Sequence, residues 1–180
     1  MRELKVNLEE LADAFDFGSD EITYYLDLET GEVATVTDDA RQQLKKLPGA
    51  KEAQTAEAAR EAIRAAEIPD WEKEGMYAAA TVKWAERGRL LKVPQVGARE
   101  SYQDMADFVD TVSNERAQGA LEAAIQGKGA FRRFKDTLIR YPQERDRWFE
   151  FLAARTRERV LSWLREEEIE PVGMDGKPHE

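Results

Sequence analysis

Apolar residues spaced three or four positions apart fill most of the chain after residue 100, and this spacing predicts a series of amphipathic helices. Ser101 and Asp104 have the spacing of a capping box, so we expect the first of these helices to begin there. A second helix, with Leu121 on its buried face, is predicted to end at Gly127. The last helix is the longest and is expected from about residue 143 to about residue 168.

Two glycines, Gly127 and Gly129, stand between the second helix and a third one that carries Phe131, Phe134 and Leu138. These three apolar residues recur at i, i+3 and i+7, which predicts that they form one buried stripe. The glycines mark where one helix ends and the next begins, because glycine adopts the left-handed conformation at little cost. We therefore expect a short helix bounded by glycines, with its charged residues outside the stripe.

Alternating apolar and polar residues between positions 22 and 37 predict a β-hairpin. A two-residue turn would place Leu26 opposite Thr35, whereas a three-residue loop with a left-handed Gly31 would place Leu26 opposite Ala34. We prefer the three-residue loop, because it puts apolar residues of both strands on one face and explains the glycine.

Further helices and one more strand are predicted around the hairpin. Asn7 is the expected cap of a short helix that ends at Gly18. The Ala- and Glu-rich segment from about residue 52 to residue 67 is expected to be helical on propensity, and residues 71–86 form another predicted helix. Residues 89–93 are predicted to form a short strand at a sheet edge, because a proline follows them.

These elements predict an α+β protein that is mainly helical, with a small antiparallel sheet built from the N-terminal hairpin and the strand near 89–93. A chain of 180 residues with 42% hydrophobic residues can bury a core of its own. We expect residues 1–170 to form a single α+β domain and residues 171–180 to form a disordered tail.

Charge and missing residue types narrow the chemistry. The 27 Lys and Arg against 37 Asp and Glu give a net charge of −10, which disfavours nucleic acid and anionic membranes as partners. The chain has no cysteine and its one histidine is His179, so thiolate chemistry, cysteine-ligated metals and Ser-His-Asp catalysis are excluded. Because the N-terminus lacks a signal-peptide pattern and no apolar run could span a bilayer, we expect a cytoplasmic protein.

The first candidate site is the basic run of the glycine-bounded helix. Arg132, Arg133, Lys135 and Arg140 make a cationic rim beside its N-terminus, where free N–H groups and the helix dipole favour a phosphate or a carboxylate. The alternative is that these cations pair with acidic residues of neighbouring helices, as exposed charges usually do. The Gly-Lys-Gly sequence around Lys128 is not a P-loop, because no Ser or Thr follows the lysine.

Carboxylates and aromatic residues are the other candidates. Glu100, Asp104 and Asp107 have the spacing of neighbours on a helix and could bind Mg²⁺ or Mn²⁺, but acidic residues also favour a first helical turn for its dipole. Trp148 and Phe149 belong to a set of aromatic residues spread too widely around the last helix for one stripe. Either that helix is buried on two sides or part of it contacts a partner.

Several blocks of the sequence together resemble one family. They are residues 25–33 of the hairpin, the Leu-Lys-Val-Pro sequence at 91–94, residues 102–109 and residues 121–136. In order and spacing these blocks are similar to the uncharacterised bacterial protein family numbered 0158 in the UPF series. The resemblance implies no activity, no catalytic residue and no cofactor. Residues 40–88 do not match these blocks and are interpreted as a variable helical insertion.

These observations favour a non-catalytic cytoplasmic interaction or regulatory module that needs neither a cofactor nor a metal ion. Its partner is expected to be a protein or another anionic molecule, bound through the four basic residues named above. One alternative is nucleic-acid binding through the same residues, which predicts an affinity that falls steeply with salt. The other is an enzyme that depends on a metal ion held by Asp104 and Asp107.

Overall fold

The computed structural model describes residues 1–173 and shows an α+β chain, mainly helical, as the sequence predicts. The helices in this range are α1 (Leu8–Phe17), α2 (Asp38–Lys46), α3 (Ala56–Ala65), α4 (Asp70–Lys83), α5 (Ala98–Asp110), α6 (Glu115–Ala124), α7 (Ala130–Leu138) and α8 (Pro142–Glu166). The strands are β1 (Arg2–Leu4), β2 (Ile22–Asp27), β3 (Val33–Thr37), β4 (Leu90–Lys92) and β5 (Ile169–Pro171). Residues 174–180, which include His179 and most of the predicted tail, lie outside the described residues.

The chain divides into two compact units. The first unit contains Met1–Gln95 and the segment that begins at Leu164, and the second unit contains Val96–Trp163. The antiparallel sheet of the first unit has the strand order β3-β2-β4, so the predicted sheet is confirmed and β4 lies at its edge. Strands β1 and β5 form a separate parallel pair, with Arg2 opposite Ile169, which the sequence pattern did not predict. Pro171 belongs to β5, one residue into the segment predicted as a tail.

The hairpin register differs from the prediction. Leu26 lies opposite Val33, and the backbone N–H of Asp27 donates to the carbonyl oxygen of Glu32 at 2.9 Å. Four residues, 28–31, therefore connect the hydrogen-bonded residues, and the predicted three-residue loop is wrong. The longer loop is held by Asp27, whose carboxylate accepts hydrogen bonds from the backbone N–H groups of Glu29, at 2.8 Å, and Thr30, at 3.4 Å. The prediction of a left-handed glycine is confirmed, because Gly31 has φ +76°.

Helices α2, α3 and α4 pack with the sheet of the first unit around small residues. Ala40, Ala59 and Ala80 are buried there, and Val36 of β3 contributes to the same cluster. The alanines allow the helix backbones to approach closely, and Ile63 is fully buried in the same cluster. The sequence pattern missed α2 because most of its residues are polar and only two of them are buried.

The second unit is made of helices α5, α6 and α7 with most of α8, and it has its own aromatic core. Phe108, Phe134 and Trp148 meet edge to face, with ring centroids 6.3 Å apart for the two phenylalanines and 4.9 Å apart for Phe134 and Trp148. Aromatic pairs of this geometry contribute about 0.5–1.5 kcal/mol each beyond the area they bury. The predicted burial of Phe134 and Leu138 is confirmed.

Two local predictions for this unit are wrong. Helix α5 begins at Ala98, after Gly97, so Ser101 and Asp104 lie inside the helix and do not form a capping box. Phe131 is 42% exposed, and Ala130 takes the buried position at the start of α7 instead. Ala130 therefore replaces Phe131 as the first residue of the buried stripe, while Phe134 and Leu138 keep their predicted places.

Candidate functional site

The basic helix α7 follows a tight connection from α6. Both glycines of that connection are left-handed, with φ +70° at Gly127 and φ +78° at Gly129. The chain therefore turns sharply between the two helices, and Gly129 occupies the position before the first helical residue of α7. Among residues 1–173, no side chain caps this helix start. A basic side chain of α7 instead reaches back to carbonyl groups at the end of α6 and in the connection.

Arg133 binds the end of α6. Its Nε donates to the carbonyl oxygen of Ala124 at 3.1 Å, and its two terminal nitrogens donate to the carbonyl oxygens of Gln126 and Lys128. Carbonyl groups at a helix C-terminus have no partner within the helix, and a guanidinium with several donors can satisfy them together. Each of the three nitrogens of Arg133 thus donates one hydrogen bond, and together these bonds fix the connection between α6 and α7.

The outer face of α7 combines exposed cations with exposed apolar side chains. The Arg132 side chain is 90% exposed and its Nε lies 3.9 Å from a carboxylate oxygen of Asp136, a separation at the limit of an ion pair. Lys135 is exposed and has no acidic partner in the described part of the chain. Phe131 in the first turn of α7 is 42% exposed, and Ile139, the residue directly after its last turn, is 65% exposed. We call the surface made by these four residues, Phe131, Arg132, Lys135 and Ile139, the α7 face.

Arg140 lies apart from Arg133, in the turn between α7 and α8. It lines an open cleft of about 390 Å³ together with Asn114 of the α5–α6 connection and Glu144 of α8. The carboxylate of Glu144 makes an ion pair with Arg147 at 2.5 Å, so the cleft contains both signs of charge. The four basic residues predicted as one site are thus divided: Arg133 binds carbonyl groups, Arg132 and Lys135 lie on the α7 face, and Arg140 lines this cleft.

The carboxylates considered for a metal ion contact arginines of α8. Asp104 is only 1% exposed, and its two carboxylate oxygens accept hydrogen bonds from both terminal nitrogens of Arg159 at 2.7 and 2.8 Å. Asp107 accepts one from Arg155 at 2.7 Å. The hydrogen bond from Gln103 is the main cause that holds the pKa of Asp107 below its ordinary value; burial opposes it, and Arg155 adds to it.

The ion pairs of Asp104 and Asp107 with arginines of α8 limit their ability to bind a metal ion. A buried carboxylate with a bidentate guanidinium on its oxygens is already neutralised, so it does not present the open oxygen ligands that Mg²⁺ requires. Among residues 1–173, no three Asp, Glu, His or Cys side chains come together as a set that could bind a metal ion. Asp104 therefore holds α5 against α8 within the second unit, and the two partners stand 55 positions apart in the sequence, where no local pattern connects them.

A second arginine–carboxylate pair lies in the first unit at the hairpin. Arg89 donates to Asp27 through Nε at 3.0 Å and a terminal nitrogen at 2.7 Å, and it also pairs with Glu29 at 3.0 Å. Burial raises the pKa of Asp27, but the hydrogen bonds from Arg89 and from the loop backbone outweigh it and lower that pKa below its ordinary value. The pair fixes the loop to the start of β4 and was not predicted.

The excess of acidic residues belongs to the first unit. Residues 96–163 contain 12 Lys and Arg against 11 Asp and Glu, a net charge of +1, while the rest of the chain has 15 against 26, a net charge of −11. The total of −10 therefore does not describe the unit that carries α7. None of the helices in residues 1–173 combines the length and the apolar character that crossing a bilayer requires.

Comparison with known proteins identifies the family. A family model described as "Uncharacterised protein family (UPF0158)" matches residues 70–178, more than half of the chain. The chain belongs to this family. The UPF0158 match includes helices α4 to α8 and all four predicted basic site residues, whereas the β2–β3 hairpin precedes it.

A curated relative supports the same assignment over a longer range. The chain is similar to UPF0158 protein PA5073 of Pseudomonas aeruginosa, with 28% identity over 172 residues that cover 96% of this chain and 89% of that protein. No solved structure gives a significant match. The UPF0158 family is described as uncharacterised, so membership assigns no activity.

Proposed function

We propose that this protein is a non-catalytic cytoplasmic interaction module that binds an acidic, partly apolar segment of another protein through the α7 face. The observation that carries the proposal is the composition of that face, where Arg132 and Lys135 stand beside Phe131 and Ile139, all of them exposed. Exposed cations among exposed apolar side chains are typical of protein-binding surfaces, which combine apolar anchors with charges that select the partner.

A protein partner fits this face better than nucleic acid does. Nucleic-acid binding relies on many Lys and Arg contacts to phosphates, whereas the α7 face offers two cations, and two large apolar side chains lie beside them. An acidic segment that also contains Leu or Phe would complement both kinds of group. The near-balanced charge of the second unit permits such a partner despite the acidic total.

The other two basic residues have different parts in this proposal. Arg133 positions α7 by binding carbonyl groups at the end of α6 and in the connection. It does not contact the partner in this proposal, but replacing it would displace the α7 face. Arg140 lies in the turn that follows α7, where it lines the cleft with Asn114 and Glu144, and it is not part of the α7 face.

The proposal is tested by fluorescence polarisation with a labelled helical peptide rich in Glu and Leu. We expect the peptide to bind the wild-type protein, and Arg132→Glu/Lys135→Glu to weaken binding by about tenfold or more. The matched control is Arg99→Glu/Arg116→Glu, which makes the same charge change at two exposed positions in the first turns of α5 and α6. There glutamate is favoured by the helix dipole, so the fold is retained.

The same assay contains the results that would overturn the proposal. A peptide with Gln in place of Glu should bind much more weakly; equal binding would mean that the charges of the α7 face do not select the partner. Labelled duplex DNA and single-stranded RNA are titrated in parallel at two salt concentrations. If either binds more tightly than the acidic peptide and both charge-reversal variants lose it, the protein is a nucleic-acid binder and the acidic-segment proposal is wrong.

A further inference from the structure

An exposed tryptophan stands at the start of α4, in the first unit. Trp71 lies in the first turn of that helix and is 70% exposed, whereas Trp148 and Trp163 are each 8% exposed. A tryptophan side chain gains more from leaving water than most others, and it is enriched among the residues that dominate protein interfaces. The position of Trp71 therefore points to a surface that a partner covers.

Acidic residues surround this tryptophan. Asp70 and Glu74 are exposed on the same helix, and they lie next to Trp71 in the sequence and one turn after it. Neither carboxylate makes an ion pair in the part of the chain that the structure describes. The nearby ammonium group of Lys73 instead donates to the carbonyl oxygen of Arg64 at 3.2 Å. We call the surface made by Asp70, Trp71 and Glu74 the α4 patch.

The α4 patch and the α7 face are complementary in charge and in apolar character. The α7 face presents two cations beside two exposed apolar side chains, and the α4 patch presents two carboxylates beside one exposed aromatic ring. In both surfaces the two charged residues stand about one turn apart on a single helix. The excess of acidic residues in the first unit favours the same pairing, because it attracts a surface that carries cations.

We propose that the α7 face of one copy binds the α4 patch of a second copy, so that the protein associates with itself head to tail. This inference rests on the proposed function, and it names a second copy of this chain as the molecule that supplies the acidic, partly apolar segment. In the contact, the indole ring of Trp71 packs on the apolar side chains of the α7 face, and the two carboxylates face its two cations. Because the two surfaces differ, each copy binds one neighbour through each of them, and the assembly closes into a ring or grows as a chain.

Sedimentation velocity of the full chain measures this association, at protein concentrations from about 1 μM to about 0.5 mM and at about 0.15 M salt. We expect the wild-type protein to form larger species as its concentration rises. Arg132→Glu/Lys135→Glu places acidic residues on both surfaces, and Trp71→Ser removes the aromatic anchor of the α4 patch. Each variant should weaken the association by about tenfold or more.

Each variant has a matched control. Arg99→Glu/Arg116→Glu makes the same charge change at two other exposed positions of the second unit. Phe17→Ser removes an aromatic side chain that is 65% exposed at the end of α1, where acidic residues also precede and follow it in the sequence. Both controls should associate as tightly as the wild-type protein, and a loss of association in the controls equal to that in the variants overturns the proposal.

Mixing the two variants tests the head-to-tail arrangement. Arg132→Glu/Lys135→Glu keeps an intact α4 patch, and Trp71→Ser keeps an intact α7 face. Equal amounts of the two chains should therefore form a complex of one copy of each, with an affinity near that of the wild-type contact, and growth should stop there. The proposal is wrong if the mixture forms no complex, or if either variant alone associates as tightly as the wild type.

The Glu- and Leu-rich peptide separates this inference from the proposed function. If both occupy the α7 face, adding the peptide should dissociate the wild-type assembly. Wild-type protein that stays monomeric over the whole concentration range but binds the peptide overturns the self-association alone. Wild-type protein that neither associates nor binds the peptide overturns the proposed function as well.

Discussion

Replacing Arg133 with alanine removes the guanidinium that joins the end of α6 to the start of α7. Three carbonyl oxygens lose a donor, those of Ala124, Gln126 and Lys128. The neighbouring Arg132, which makes only a marginal contact with Asp136, provides a control of the same residue type on the same helix. The comparison separates the contribution of position 133 from that of positive charge in general.

The magnitude follows from the number of bonds and their exposure. One of the three hydrogen bonds is partly buried and two are exposed, so water can replace part of what the arginine supplies. At a net contribution near the lower half of the usual range for each bond, Arg133→Ala should destabilise the α6–α7 region by about 1.5–3 kcal/mol. Arg132→Ala should change stability by less than about 0.5 kcal/mol.

Native-state hydrogen exchange measured by mass spectrometry is the suitable assay, because the chain has two compact units and a single global unfolding free energy would not locate the effect. In Arg133→Ala, amides of α7 should exchange about ten to a hundred times faster than in the wild type. In Arg133→Lys they should exchange at a rate between these two, because an ammonium group cannot reproduce the planar arrangement of donors in a guanidinium. Exchange in Arg133→Ala that matches Arg132→Ala within about twofold would refute the reasoning.

Three further predictions concern the rest of the fold. Gly31→Ala should prevent folding or lower the melting temperature severely, because its Cβ would lie 1.8 Å from a backbone oxygen. Gly88→Ala is the control, because Gly88 also has a positive φ of +85° but open space around it, so this variant should lose only about 1–2 kcal/mol of unfolding free energy in thermal melts. The lowered pKa of Asp27 contributes stability above the unfolded-state pKa that is lost as pH falls below about 4, so Asp27→Asn should be less stable than wild type in urea at pH 7 and should approach it at pH 3. Asp104→Ala should cost about 3–5 kcal/mol in urea unfolding, because it leaves a guanidinium without its buried partner.

The parts of the fold that the sequence predicts correctly are those specified by neighbours in the chain. Helix α1 begins after Asn7 because the Asn7 side chain accepts hydrogen bonds from two backbone N–H groups, at 3.1 and 3.2 Å. This cap and the end of the helix at Gly18 are both predicted from residues that are neighbours in the sequence. The periodic apolar residues of α5 to α8 predict helices because one face of each must be buried. Strand β4 is predicted for a similar local reason, because Pro94 stands two residues after its end.

The features of the fold that the sequence pattern does not predict depend on residues far apart in the chain. The hairpin loop is one residue longer than predicted because Asp27 organises it, and Asp27 is held by Arg89, which stands 62 positions away. The pairing of β1 with β5 joins the two ends of the described chain, and three-residue strands carry no periodicity. Asp104 has the spacing of a capping residue but contacts Arg159 on another helix, which only the tertiary structure brings near.

The basic residues predicted as one site have different surroundings in the structure. Arg132 and Arg133 are adjacent in sequence, and one step around a helix separates an exposed cation from one that binds the carbonyl groups of α6. Periodicity placed both outside the buried stripe, and it contains no information about where the neighbouring helix ends. The exposure of Phe131 and Ile139 could not be predicted either, because periodicity treats every apolar residue as buried.

A charge-swap binding experiment tests the central claim most directly. Arg132→Glu/Lys135→Glu is titrated with the Glu- and Leu-rich peptide and with a second peptide in which every Glu is replaced by Lys. If the α7 face binds an acidic segment, the variant should lose the first peptide and gain the second, while the wild-type protein shows the opposite preference. If the variant binds the acidic peptide as the wild type does, or if both proteins prefer the same peptide, the α7 face is not the site.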